Sequence, residues 1–291
     1  MTVRLSAEAR RVLAEGTFCS IAARTPRGLH LTPVVYVAGG GRIWMTTSRA
    51  SVKARAWRQD PATAGLVVHD RLAVTFRGRV RAFDLLDPKT WGPSALRSLA
   101  ITRAAARFSM KNARFFAGYA RDAHRVPLSW TPPARVFASV ELDAAALLDL
   151  GAGTVVERWG EWPDAAPAVS PSRRTTGRGD PLAGLPADVR RAVGDQGEGA
   201  VGLGLAVLPC RWRTAPEALE VAVAVPHLRL CGSVAGDGGA VQGQLPSAWR
   251  AREMRGFLAQ GPVRVGKGGR LRLAPERLVW WRGWAAGTVA R

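Results

Sequence analysis

Residues 5–15, Leu-Ser-Ala-Glu-Ala-Arg-Arg-Val-Leu-Ala-Glu, return in register at 185–195 as Leu-Pro-Ala-Asp-Val-Arg-Arg-Ala-Val-Gly-Asp. Each copy reads as a short helix. Ser6 is placed to cap the first and Pro186 to open the second, with Glu8 or Asp188 in the first turn where the helix dipole favours negative charge. Extended segments follow each copy. In the first they are Phe18 to Ala23, then Leu31 to Val37; in the second, Ala200 to Ala206, Val207 to Trp212, then Leu219 to Val225. Both runs lead to a Gly-containing strand, Val74 to Phe83 and Gly261 to Val265. A chain that repeats a helix followed by short strands is constrained to two similar small β units. The expected fold is therefore mainly β (α+β), with units at 1–150 and 185–291 and a Gly-, Pro- and Ser-rich linker or loop at 151–184. Two such units on one chain form a pseudo-dimer, or pair between chains as a homodimer, and a site that a homodimer builds between subunits then falls between halves.

At 291 residues, 47% of them hydrophobic, the chain has material for two buried cores. The formal charge is +20, yet only four of the 42 cationic residues are lysines: Lys53, Lys89, Lys111 and Lys267. Such a balance attracts anions, whether nucleic acid, anionic lipid or a phosphorylated cofactor, and does not choose among them. Cys19, Cys210 and Cys231 form no CxxC pair, which points away from a disulfide framework or zinc site and toward a reducing cytoplasm. The amino-terminal segment carries Arg4, Glu8, Arg10 and Arg11 without the apolar stretch of a signal peptide, and no apolar run has the length of a membrane span. The four histidines show no His-x-His or His-x-x-x-His spacing, so no metal site is expected. Neither a Gly-x-Ser-x-Gly elbow nor a Walker loop is present.

The densest chemistry lies between Gly16 and Pro61. Leu31 to Val37 turns through Gly39-Gly40-Gly41 into Ile43 to Thr47, which opens onto Ser48, Ser51, Lys53 and Arg55. Hydroxyls and cations gathered where a strand ends suit a phosphate. From Trp91 to Tyr119 the spacing predicts a helical insertion in the first unit, with Ile101, Ala105, Phe108, Asn112, Phe115 and Tyr119 on one face and Arg103, Arg107, Lys111 and Arg114 opposite. In the second unit Trp249, Trp281 and Arg282 are candidates to cover a planar ring.

Gly16-Thr-Phe-Cys-Ser-Ile-Ala, Leu31-Thr-Pro-Val-Val-Tyr-Val, Ile43-Trp-Met-Thr-Thr-Ser-Arg-Ala-Ser-Val-Lys-Ala-Arg, Asp60-Pro61 and the strand around Gly78 together resemble the pyridoxamine 5'-phosphate oxidase-like, FMN-binding split β-barrel proteins. The likeness covers residues 5 to 85 best. It implies two split barrels in tandem, the second degenerate, and an FMN site between them; relatives use a deazaflavin coenzyme, and haem ranks below both. By the resemblance, Pro33, Val34 and Tyr36 wall the ring, Thr46, Thr47 and Ser48 meet the phosphate, and Lys53 with Arg55 neutralises it. Trp249, Trp281 and Arg282 would close the other side. The Arg-x-His substrate signature of the true oxidases is absent, so the resemblance stops short of vitamin B6 oxidation. The implied function is a flavin-dependent oxidoreductase acting on a small molecule, with no residue assignable as acid or base. The alternatives are a deazaflavin-dependent reductase and a non-catalytic binder of nucleic acid or another polyanion.

Overall fold

The computed structural model of the chain describes residues 3–84, 87, 90, 95–122, 124, 134–163, 179–232, 238–244 and 251–290. The first half contains helices α1 (Ala7–Glu15), α2 (Val52–Gln59), α3 (Ala95–Lys111) and α4 (Ala113–Arg121). Its strands are β1 (Phe18–Thr25), β2 (Gly28–Gly39), β3 (Arg42–Ser48), β4 (Ala62–His69), β5 (Leu72–Asp84), β6 (Arg135–Asp149) and β7 (Thr154–Trp159). They run antiparallel in the order β3-β2-β1-β4-β5-β6-β7, and a further β3–β6 pairing closes the first six into a barrel. The second half has α5 (Ala187–Val193), β8 (Gln196–Leu203), β9 (Ala206–Ala215), β10 (Ala218–Ala222), α6 (Val225–Leu228), β11 (Gly238–Gln244), β12 (Arg255–Val265), β13 (Arg270–Leu273), β14 (Arg277–Arg282) and β15 (Ala285–Ala290). Its order is β11-β8-β9-β10-β13-β12-β14-β15, closed by β11–β12. The protein is thus mainly β, with two closed antiparallel split barrels in tandem, as the repeat and the resemblance lead one to expect.

Strand pairing makes the internal repeat explicit. Pro33 faces Ser20 in the first barrel and Pro209 faces Ala200 in the second; Ile21 pairs with Gly65, and Val201 with Val241. β5 slips register between Arg77 and Gly78, where a Cβ on Gly78 would run into the Glu141 carbonyl. At the matching place in β12, a Cβ on Gly261 would run into the Ala274 carbonyl. Only glycine lets the partner strand bulge against the ladder there, and both copies keep it.

Ser6 caps α1, its Oγ accepting from the Ala9 N–H at 3.3 Å, and the helix buries Ala9, Val12 and Leu13 against the barrel. In the second copy Pro186 sits at the cap position itself, not inside the first turn, and makes no side-chain cap. The β2–β3 hairpin turns through Gly40 and Gly41, both at positive φ (62° and 71°). The long helical pattern breaks at Asn112 into α3 and α4; of the expected face Ile101, Phe108 and Asn112 are buried and Ala105 and Phe115 half-buried, while the neighbouring Ala104 is buried as well. Trp91 lies outside the described residues, as does the side chain of Tyr119. Lys111 leaves the expected solvated face: its Nζ lies 3.7 Å from the Tyr36 ring centre and donates to the Leu13 carbonyl at 3.2 Å. The expected linker at 151–184 is shorter than its composition suggests, because β7 pairs with β6 as part of the first sheet and Leu182 is fully buried. Residues 164–178 lie outside the described set.

The two barrels pack on each other within the chain. Leu29, Leu31, Leu66 and Leu148 of the first share one core with Val201, Leu203, Val207 and Leu208 of the second. Each such side chain contributes about 1.5–3 kcal/mol by leaving water. Two buried hydrogen bonds cross the junction: Thr75 Oγ1 donates to the Val207 carbonyl and Gln260 Nε2 to the Leu29 carbonyl, each at 2.7 Å. Among the described residues no helix is long and apolar enough to cross a membrane.

Candidate functional site

A cleft of 390 Å³ lies where the first barrel meets β14 and β15 of the second. From the first barrel, β2 brings Thr32 to Val35, β3 brings Thr46 to Ser48, and α2 enters with its amino end, Ser51 to Lys53. Ser51 is the N-cap of α2: its Oγ accepts from the Ala54 N–H at 3.1 Å and lies 3.0 Å from the Thr47 hydroxyl. First-turn N–H groups have no partner within a helix, so this end of the cleft is rich in donors and carries the positive end of the dipole.

Lys53 is the group that defines the site. It is 8% exposed, and its Nζ donates to Thr32 Oγ1 at 2.7 Å. Among the described residues no carboxylate pairs with it. Burial, and secondly the nearby Arg135 guanidinium, lower its pKa from 10.5 to about 7. A buried ammonium without a counter-ion is costly, and an anion placed against it relieves that cost. Arg135, the first residue of β6, reaches the cleft through the β3–β6 pairing and donates to Thr46 Oγ1 at 2.7 Å and to the Thr46 carbonyl at 3.0 Å.

Farther along β2, His30 lines the same cleft, 8% exposed, with no partner for Nδ1 among the described residues. Burial first, then Lys53 and Arg277, pull its pKa down to about 3, so the imidazole is neutral. Across the cleft Trp281 has a buried Nε1 that is also without a partner. Phe18, Val34 and Met254 add apolar wall. The arrangement offers cation, hydroxyl and helix amino end at one place, flat apolar surface beside it, and polar ring atoms in need of partners.

Of the sequence-predicted residues, the structure brings together Pro33, Val34, Thr46, Thr47, Ser48, Lys53 and Trp281 around this cleft. Three lie elsewhere. Tyr36 is fully buried inside the first barrel, its hydroxyl donating to the Leu13 carbonyl at 2.8 Å. Arg55 is on the exposed side of α2 and donates to the Ala50 carbonyl at 2.9 Å; two residues beyond Lys53, it faces away from the cleft by helical periodicity. Arg282 leaves the cleft for Asp188 on α5, at 3.0 Å. Trp249 lies outside the described residues. Within the hydroxyl triplet, Thr46 accepts from Arg135 and Ser48 from the Ala50 N–H at 3.3 Å, each keeping its own O–H, while Thr47 and Ser51 share one proton between them beside the amino end of α2. Thr32, His30 and Arg135 went unassigned from sequence. Arg135 is delivered by strand pairing from far along the chain, and no local motif marks it.

No family model and no curated protein matches the chain. Solved structures do. It is similar to an FAD-binding protein from Mesorhizobium loti, at 18% identity over 50% of this chain and 97% of that one, with a TM-score of 0.36. A pyridoxamine 5'-phosphate oxidase-related, FMN-binding protein from Nostoc punctiforme aligns at 14% identity over 50% and 80% of the two chains, with a TM-score of 0.35. An F420 reductase aligns at 17% identity over 48% and 98%, with a TM-score of 0.33. Each likeness spans about half of this chain, and the assignment of a ligand rests on the cleft's own residues.

Proposed function

We propose that the cleft holds a flavin-type cofactor, FMN or a deazaflavin, and that the chain is an oxidoreductase acting on a small molecule. One observation carries this reading: Lys53, buried with no carboxylate partner among the described residues, stands beside Thr32, Thr47 and Ser51 at the amino end of α2, next to an apolar slot closed by the second barrel. A phosphate would be held by Lys53, by the Thr47 and Ser51 hydroxyls and by the first turn of α2, with Arg135 adding positive charge. Pro33, Val34 and Phe18 would flank a planar ring on the first barrel and Trp281 on the second. Trp281 Nε1–H can only donate, so it suits a ring carbonyl. His30 Nδ1 is placed to meet a polar ring atom. A bound flavin or deazaflavin supplies hydride or electron exchange; the protein's groups bind it, orient it and keep water away.

The test is a titration of the purified protein with FMN and, separately, with a deazaflavin, followed by fluorescence, after recording its absorbance as isolated. Saturable uptake of one of them, weakened about a hundredfold or more in Lys53→Glu, is expected, because the substitution replaces an attraction by a repulsion. Equal affinity in wild type and variant would remove the phosphate anchor. Failure to take up either compound would remove the reading itself.

A further inference from the structure

Between Asp87 and Asp122 the sequence holds seven cations and not one acidic residue. Most of that stretch is α3 and α4, and α3 lies across β2 and β3 of the first barrel with Ile101, Ala104 and Phe108 buried against Val35, Val37 and Trp44. The opposite face looks outward. Leu99, Arg103, Ala106 and Met110 follow one another along it at the i, i+4, i+7, i+11 spacing of a single helical stripe, all four exposed, with the exposed Arg107 beside them. Arg114 and Arg121 are exposed on α4. Of the six large apolar side chains exposed among the described residues, three belong to this helix pair: Met110 at 77%, Leu99 at 48% and Phe116 at 38%.

Two chemistries are thus interleaved on one face. Among the described residues no carboxylate pairs with Arg103, Arg107, Arg114 or Arg121, and the acid that follows them, Asp122, is buried and holds Arg252 of the second half at 3.1 Å. The patch keeps its positive charge. A nucleic-acid backbone would meet the arginines and leave Leu99 and Met110 in water, since phosphate contacts offer nothing to an aliphatic side chain. A second copy of the chain would set like charges against each other, which is repulsive. A bilayer with anionic headgroups satisfies both chemistries at once: guanidinium heads stay with the lipid phosphates while the apolar side chains pass just beneath them.

We infer that the α3–α4 face docks the protein on an anionic membrane surface, lying on the bilayer and not crossing it. Phe115, the neighbour of Phe116, lines the first cleft, so docking brings the α4 side of that cleft toward the lipid. This inference does not depend on what occupies the cleft.

The net charge of +20 draws the chain to any anionic surface, so the experiment must separate this face from the rest. The full chain would be co-sedimented, at physiological ionic strength, with phosphatidylcholine vesicles with and without phosphatidylserine. Binding to the phosphatidylserine vesicles alone is expected. Arg103→Glu, Arg107→Glu and Arg114→Glu together should weaken it about a hundredfold, and Leu99→Ser with Met110→Ser about tenfold. Arg191→Glu, Arg229→Glu and Arg270→Glu, exposed on the second half, change the net charge equally and should weaken it less than about threefold. All eight positions are exposed, so the variants should keep the fold, which thermal melts check. No binding to phosphatidylserine vesicles, an equal loss in the second-half set, or indifference to Leu99→Ser with Met110→Ser would each overturn the assignment. A DNA duplex that binds more tightly than the vesicles through the same three arginines would overturn it too, giving the face to nucleic acid.

Discussion

Lys53 ties cofactor affinity to pH in a way that can be worked from its surroundings. Burial and Arg135 bring its pKa down from 10.5 to about 7. A phosphate dianion against Nζ favours the ammonium and raises the pKa again, so between the two values binding takes up a proton. The sign follows. Affinity is greatest just below pH 7, where the amine is already charged, and falls as pH rises above 7, by at most about tenfold (~1.4 kcal/mol) per pH unit until the bound-state pKa is passed. The phosphate's own second ionisation, near pH 6, lies below this window. The empty protein behaves oppositely. Its folded state binds fewer protons than the unfolded chain between pH 7 and 10.5, so this group makes folding more favourable as pH rises through that range. FMN fluorescence titrations at pH 7.5, 8.5 and 9.5, with calorimetry in buffers of different ionisation enthalpy to count protons, read the first effect; thermal melts of the empty protein read the second. Lys53→Arg keeps its charge at every pH and should flatten the affinity profile. A wild-type affinity that stays level from pH 7.5 to 9.5, with no proton uptake, would refute the buried, uncompensated ammonium as the anchor.

Other consequences are simpler to measure. Gly78→Ala and Gly261→Ala both force a Cβ into an opposing carbonyl and should each cost about 1–3 kcal/mol in chemical denaturation, without loss of the cleft's residues. Gln260→Leu leaves the Leu29 carbonyl buried without its donor and should lower stability by about 1–3 kcal/mol, a direct measure of the junction between barrels. Below pH 6.5 the buried His30, with its pKa near 3, resists the proton that the unfolded chain accepts, so stability should drop on acidification and recover in His30→Gln. Arg55→Ala and Arg282→Ala should leave FMN affinity within about twofold of wild type, since neither side chain points into the cleft.

How far the sequence discloses this molecule differs between fold and site. The two barrels were legible because the repeated Leu-x-Ala-acid-x-Arg-Arg helix fixes the start of each unit and because the strands alternate. That Thr47, Ser51 and Lys53 meet at one end of a cleft was legible because one strand end and one helix start deliver all three within a few residues. What lay hidden depends on tertiary geometry. Tyr36 lies two residues beyond Val34 on the same face of β2, but deeper in the core of the first barrel, where its hydroxyl meets α1 and away from the cleft. Arg282 was grouped with Trp281 by adjacency, and the strand's two-residue period separates them, the arginine turning to Asp188. Lys111 fitted the charged stripe of its helix, yet the break at Asn112 and the Tyr36 ring below draw it inward. Arg135 arrives by a pairing between β3 and β6 that no periodicity announces.

Fusion of the halves explains why a cleft of one half and its counterpart in the other can differ. In a homodimer every substitution appears in both clefts, so a change that removes the phosphate donors from one removes them from the other. On one chain the positions are independent. Thr32 and Leu208, or Lys53 and Pro226, are separate choices on a common scaffold, whose glycine bulges at Gly78 and Gly261 remain alike because both barrels need them to close. The shared walls Phe18 and Pro33 place the clefts back to back. A second cleft, lined by Pro209, Arg211 and His227 of the other half, therefore lies one layer of side chains from the first. Phe18→Ala, which removes an apolar wall of the first cleft, should weaken FMN in the fluorescence titration while the fold holds in a thermal melt, and an unchanged affinity would refute its place beside the ring.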